Sequence, residues 1–192
     1  GKESLVCFGL CQELRLNPIP VTVIEPDADV VYRNQRIKTF QNKHKYKLIS
    51  QFEQEFGIKV YKIDSALNDI NDYTLWDLDQ TDLGWSTQLT QYLFLLLPFN
   101  YNFNYKYTIY GNEFSCNAYY YSSEGFKCHP VYDQSPEWVG HMNIMLQNLT
   151  GGEAQVTSLV QPIHEIAVAK VLYQRYPQLA KYQTSCHGNN EK

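Results

Sequence analysis

The chain has 192 residues, 44% of them hydrophobic, 15% aromatic and 19% charged, which suits one domain with a real core and excludes a disordered chain. With 16 basic against 20 acidic residues the net charge is −4. That balance gives no electrostatic footprint for a nucleic-acid surface.

In chain order, residues 4–16 space Leu5, Phe8, Leu10 or Cys11, and Leu14 as one helical face. Ser4 reads as the N-cap of this helix, and Asn17-Pro18 closes it. Cys7 and Cys11, four apart, share a face and read as small buried apolar residues. Five cysteines are too few for a disulfide framework. Ile19 to Ile24 is short, apolar and β-branched, a buried strand ending at Glu25-Pro26-Asp27, and a loop follows. Residues 36–56 carry Ile37, Phe40, Tyr46, Ile49, Phe52 and Phe56 on a charged background, an amphipathic helix that Gly57 stops.

Ile58 to Ile63 alternates as a strand, and residues 68–84, with five Asp, read as a surface excursion. Residues 86–97 form a second helix. Their apolar run Leu93 to Leu97 is far short of the ~20 residues that a membrane helix needs. The tyrosine-rich stretch from Tyr92 to Tyr121 is expected to pack into the core, having little basic charge nearby. Tyr107 to Tyr110 is a strand ending at Gly111-Asn112-Glu113. Residues 134–148 are helical until Gly151-Gly152 breaks them, with Ser135 as cap and Pro136 in the first turn. Val156 to Val160 is a last strand, and 163–175 is a helix closed by Tyr176-Pro177. Strands alternating with helices imply an α/β domain over 1–192, a parallel sheet covered on both faces.

In such sheets ligands sit at the carboxyl ends of the strands, where helix N-termini offer backbone N–H groups to anions. Gly1-Lys2-Glu3-Ser4 opens the first helix in that manner, the glycine permitting close approach and Lys2 adding a point charge. These four residues resemble the end of the Ser-Gly-Gly-Xaa-Asp-Ser loop of the PP-loop superfamily, the N-type ATP pyrophosphatases or adenine nucleotide alpha hydrolase-like proteins. Glu3 stands where Asp is usual, and the leading Ser-Gly is absent. Gly111-Asn112-Glu113 resembles the family's Gly-(Asn/Asp)-Glu turn. Tyr132-Asp133-Gln134-Ser135, Pro162-Ile163-His164-Glu165, Lys170, Arg175-Tyr176-Pro177 and Ser185-Cys186-His187 resemble one branch, near 7-cyano-7-deazaguanine synthase and the muropeptide glutamate epimerase.

The resemblance covers most of the chain and implies a Rossmann-like (HUP-type) three-layer fold. It implies ATP and Mg²⁺ as cofactors, and adenylation of a carboxyl or carbonyl group of a small molecule or peptide, with release of pyrophosphate. On this reading Gly1, Lys2, Glu3, Ser4, Glu25, Gly111 and Asn112 bind ATP, and Lys2, Glu113 and His164 are catalytic. Glu113 also ligates Mg²⁺, while Asn112, Asp133 and Gln134 bind substrate. Lys170 and Arg175 are candidates for reaching phosphates. Cys186 is one ligand of a structural Zn²⁺ site, incomplete here, to which the helix and tail 163–192 lead, so Zn²⁺ is expected only in a full-length protein. Cys116 with Cys128-His129 is a weaker metal grouping. The resemblance further implies truncation at both ends, with the first, central strand missing and neighbouring strand edges unsatisfied.

A tRNA-modifying or sulfur-transferring enzyme of the same superfamily, and a nucleotide-binding module without catalysis, are the alternatives. No basic patch followed by an apolar stretch opens the sequence, so a cytoplasmic protein is expected, with no membrane or nucleic-acid partner and a homodimer left open.

Overall fold

A computed structural model describes residues 1–25, 29–32, 35–38, 42–67 and 87–184. Helix α1 (Lys2–Glu13) leads to β1 (Val21–Ile24), an antiparallel hairpin of β2 (Asp29–Tyr32) and β3 (Gln35–Lys38), α2 (Asn42–Phe56) and β4 (Tyr61–Asp64). The second half runs α3 (Gln88–Phe103), β5 (Tyr107–Tyr110), a second hairpin of β6 (Tyr120–Tyr121) and β7 (Lys127–Cys128), α4 (Pro136–Thr150), β8 (Gln155–Ser158), α5 (Glu165–Arg175) and α6 (Pro177–Ala180). Strand β1 pairs in parallel with β4, Val23 opposite Ile63, and β5 pairs in parallel with β8, Ile109 opposite Thr157. Among the described residues the two parallel pairs remain separate two-stranded sheets. Helix with parallel strand pairs makes this an α/β chain.

Two buried clusters hold it together. The first gathers Val6, Cys7 and Phe8 of α1, Phe52 of α2, Val160 between β8 and α5, Val168 and Leu172 of α5, Tyr176 and Leu179. Phe8 meets Phe52 edge to face at 5.2 Å between ring centres. The second joins Leu93 of α3, Trp138 and Leu146 of α4 and Val156 of β8. Successive strand side chains point to opposite faces, so on β5 Ile109 packs toward the first cluster and Tyr110 toward the second. Tyr61 of β4 packs on Phe99 and Phe103 of α3, tying the other strand pair to the same helix. Cys7 and Cys11 are buried as their spacing predicts, and burial pushes the Cys7 thiol up to about 12.

Several boundaries differ from the sequence reading. Helix α1 begins at Lys2 with Gly1 as its N-cap, so Ser4 lies inside the first turn and not at the cap. The helix read from 36 starts at Asn42, because Gln35–Lys38 pairs with Asp29–Tyr32 instead. Helix α3 runs to Phe103, past Pro98, and ends at Asn104 in the left-handed region. The tyrosine-rich stretch is not all core: Tyr101, Tyr107, Tyr119, Tyr120 and Tyr121 are exposed. A hairpin with two residues in each strand has too little surface to cover its own rings. The stretch 68–84 lies outside the described residues.

Candidate functional site

Helices α1 and α5 lie side by side and run in the same direction. At one end Lys2 Nζ donates to Glu165 Oε1 at 2.9 Å, first residue to first residue. At the other, Arg175 donates through Nε and Nη2 to the two oxygens of Glu13, at 2.9 and 2.7 Å, last residue to last residue. Both N-termini therefore share one end, where their dipoles add and favour negative charge. Glu3 and Glu165 supply it, and Lys2 Nζ also lies 2.8 Å from Glu3 Oε1. Desolvation alone would lower the Lys2 pKa, but the hydrogen bonds and charges of Glu3 and Glu165 outweigh it and hold the ammonium above the usual lysine range. The hydrogen bond from Lys2, and then its charge, hold Glu165 below the ordinary carboxylate value.

The end of β5 presses on the same turn. A Cβ on Gly111 would lie 2.4 Å from Glu3 Cβ and 3.2 Å from the Ser4 backbone nitrogen, so only glycine fits without displacement. Asn112 is 1% exposed, and its carbonyl accepts from Ser158 Oγ at 2.6 Å while its Nδ2 is buried without a hydrogen-bond partner. Glu113, 6% exposed, caps the 3-10 turn Phe114–Asn117, its Oε2 accepting from the Ser115 amide at 2.7 Å. Cys116 Sγ donates toward Glu113 Oε1 at 3.6 Å and Gln134 Oε1 at 3.3 Å, linking this turn to the 3-10 turn Tyr132–Gln134. Desolvation first, and then the Glu113 charge, push this thiol up to about 11. His164 is exposed, and its Nδ1 lies 3.3 Å from Ser115 Oγ.

The structure thus gathers Gly1, Lys2, Glu3, Ser4, Gly111, Asn112, Glu113, Gln134 and His164 around one corner. Glu25 and Asp133 serve α3 instead. Tyr92 OH and Gln88 Nε2 both donate to Glu25, at 2.5 and 3.0 Å, which ties the end of β1 to α3. Asp133, 2% exposed, accepts from the Leu89 amide at 3.1 Å, and burial raises its pKa. Arg175 closes the opposite end of α5, about 15 Å along the helix from Glu165, where it cannot share a ligand with Lys2. Lys170 is exposed on α5. Cys186 lies outside the described residues. Cys128 donates to the carbonyl of Phe126, two residues back, and among the described residues no cluster of three or more His, Cys, Asp or Glu is placed to hold a metal.

Sequence reasoning missed Glu165 and Cys116 as members of this corner. The signal for Glu165 was present: Lys2 and Glu13 end one helix, Glu165 and Arg175 the other, with opposite signs at matching ends. A surface cavity of about 490 Å³ lies away from this corner, lined by Gln51, Gln54, Glu55, Lys181 and Tyr182. No helix among the described residues is long and apolar enough to cross a membrane. No protein-family model and no curated protein matches this chain.

Proposed function

We propose that this chain is an ATP-dependent adenylating enzyme of the PP-loop type, with its phosphate site at the first turn of α1. The observation that carries the reading is Gly111, whose bare α-carbon lets the β5 turn close directly on Glu3 and Ser4. Three features of that corner suit a phosphate chain. The first-turn amides of α1 have no intrahelical acceptor. Lys2 carries a stable positive charge. Asn112 Nδ2 is a buried donor still lacking an acceptor.

Bound ATP would supply the adenylyl group and the pyrophosphate that leaves. Lys2 and the first-turn amides then hold the leaving charge, contributing by fixed electrostatics and positioning. Asn112 and Gln134 orient the acceptor carboxyl, and His164, exposed beside Ser115, exchanges a proton with substrate. Magnesium commonly takes one or two carboxylates plus phosphate oxygens, and Glu113 is the carboxylate at hand. Its oxygens already accept from Ser115 and Cys116, so it would contribute at most a shared oxygen. In the same reading β4-β1 and β5-β8 are two halves of one Rossmann-like sheet of the HUP type, in which β1 and β5 flank a common central strand. It places the protein in the cytoplasm with a small-molecule or peptide substrate.

The test is pyrophosphate release from ATP and Mg²⁺ across a panel of carboxylic acids. Lys2→Met is expected to lower the rate by about 100-fold, the scale of losing one charged donor to the leaving group. No release by folded protein with any acid would sink the proposal. The engagement of both Glu113 oxygens favours one second reading, a nucleotide-binding module without catalysis. That module would bind ATP with no turnover and would bind it equally well as Glu113→Gln.

A further inference from the structure

We propose that Glu165 is a latch on the phosphate site, a carboxylate that holds Lys2 until an oligophosphate displaces it. The inference rests on the phosphate reading of the α1 turn. Two parallel helix N-termini and an ammonium converge on one corner, and two carboxylates answer them. The two are not equivalent. Glu3 sits under Gly111 and its side chain is 22% exposed, so it has little room to move. The Glu165 side chain is 56% exposed against 21% for Lys2, so it can turn into water while Lys2 stays. An oxygen of Glu165 lies 2.9 Å from Nζ, the distance at which a phosphate oxygen would sit.

Exchanging one oxyanion for another leaves the ammonium paired throughout, so opening the latch strands no charge. A tethered carboxylate competes at an effective concentration in the millimolar range, which weak monoanions in solution do not overcome. A pyrophosphate or nucleotide triphosphate brings several charges and also reaches the first-turn amides. The bidentate Arg175–Glu13 pair at the far end keeps the two helices aligned while the near end opens. The latch therefore selects for oligophosphates over simple anions.

The experiment titrates inorganic pyrophosphate by calorimetry, at low salt and neutral pH, into the unaltered chain, Glu165→Gln and Lys2→Met. Beside it, the acylation rate of Lys2 by an N-hydroxysuccinimide ester is read by mass spectrometry. Removing an exposed ion-pair partner should tighten pyrophosphate binding by about two- to fivefold in Glu165→Gln and speed Lys2 acylation by a similar factor. Lys2→Met should lose most of the binding, and added pyrophosphate should slow acylation of Lys2 in Glu165→Gln. An unchanged acylation rate in Glu165→Gln overturns the latch, whatever pyrophosphate does. Faster acylation with equal pyrophosphate affinity overturns the competition. Faster acylation with no pyrophosphate binding to any of the proteins overturns the phosphate reading, and the competition falls with it.

Discussion

Gly111 is the residue on which the corner closes, and its role is one of space. A methyl group there would lie 2.4 Å from Glu3 Cβ, part of a helix packed on α5. Gly111→Ala should therefore cost about 1–3 kcal/mol, the usual range for forcing a methyl into a filled interior. Gly140 provides the opposite case, since a Cβ there meets nothing within 4 Å and the position is exposed inside α4. Gly140→Ala should stabilise by roughly 0.4–1 kcal/mol through the unfolded chain. Urea unfolding of the two variants checks both signs, and a neutral Gly111→Ala would remove the close approach from the site. At this scale the sequence was partly legible. Glycine, Asn and Glu in a row at a strand end announced a special turn. What could not be read was who would take each oxygen. Asp133 and Glu25 looked available because their partners, Leu89, Gln88 and Tyr92, are more than 40 residues away in the chain.

Elements were legible where local chemistry alone decides them. Ser135-Pro136 predicts a helix start, and Ser135 Oγ accepts from the Trp138 amide at 3.1 Å with the serine fully buried. Ser135→Ala should destabilise by about 1–2 kcal/mol in a urea melt, because a buried amide then lacks its acceptor. A loss under about 0.5 kcal/mol would mean that solvent reaches the Trp138 amide. The β2–β3 hairpin was missed because its signal is weak. Between β2 and β3 the sequence Arg33-Asn34 lacks the glycine that marks a tight hairpin. The start of α1 was displaced because serine is the better cap by rank, whereas the helix gains three more residues by beginning at Lys2. Those residues bring Lys2 and Glu3 into the first turn, which a cap at Ser4 would have left outside.

The whole molecule carries a net −4 charge, yet its acid response is set by particular pairs. Hydrogen bonds from Arg175, Lys181, Lys127 and Lys2 hold Glu13, Glu55, Glu137 and Glu165 below the ordinary value of 4.5. A carboxyl with a lowered folded pKa contributes stability that is complete above 4.5 and is lost as pH falls through the folded value. Buried Asp133 has the opposite sign, favouring the fold in its protonated form and giving that up as pH rises above 3.8. Among the described residues these four outweigh Asp133, so the melting temperature should hold steady down to about pH 5 and drop below about pH 4.5. High salt should weaken this response, since all four pairs are exposed.

Strand edges give the largest-scale test. Tyr61 N–H donates to Pro20 and Ser65 N–H to Ile24, both at 2.9 Å, so even-numbered residues of β1 face β4. By the alternation of a parallel ladder, the Val21 and Val23 amides face away from it. Gln155 N–H donates to Lys106 at 2.8 Å, and the same rule turns Tyr107 and Ile109 away from β8. The two outward edges belong to the strands that the proposed sheet would bring next to a common central strand. Amide exchange in this 192-residue chain should therefore alternate, slow at Thr22, Ile24, Thr108 and Tyr110 and faster at Val21, Val23, Tyr107 and Ile109. Uniformly slow exchange along both strands would show the edges already paired and the sheet closed, leaving no slot between β1 and β5. Alternation in β1 but not β5 would place the two pairs in different surroundings, which a single sheet with one central gap does not allow. If both strands alternate, both outward edges are unpaired, as the proposed sheet requires. Lys45 Nζ, which donates to the Val23 carbonyl at 2.5 Å, then holds an acceptor that a strand amide would take in a complete ladder.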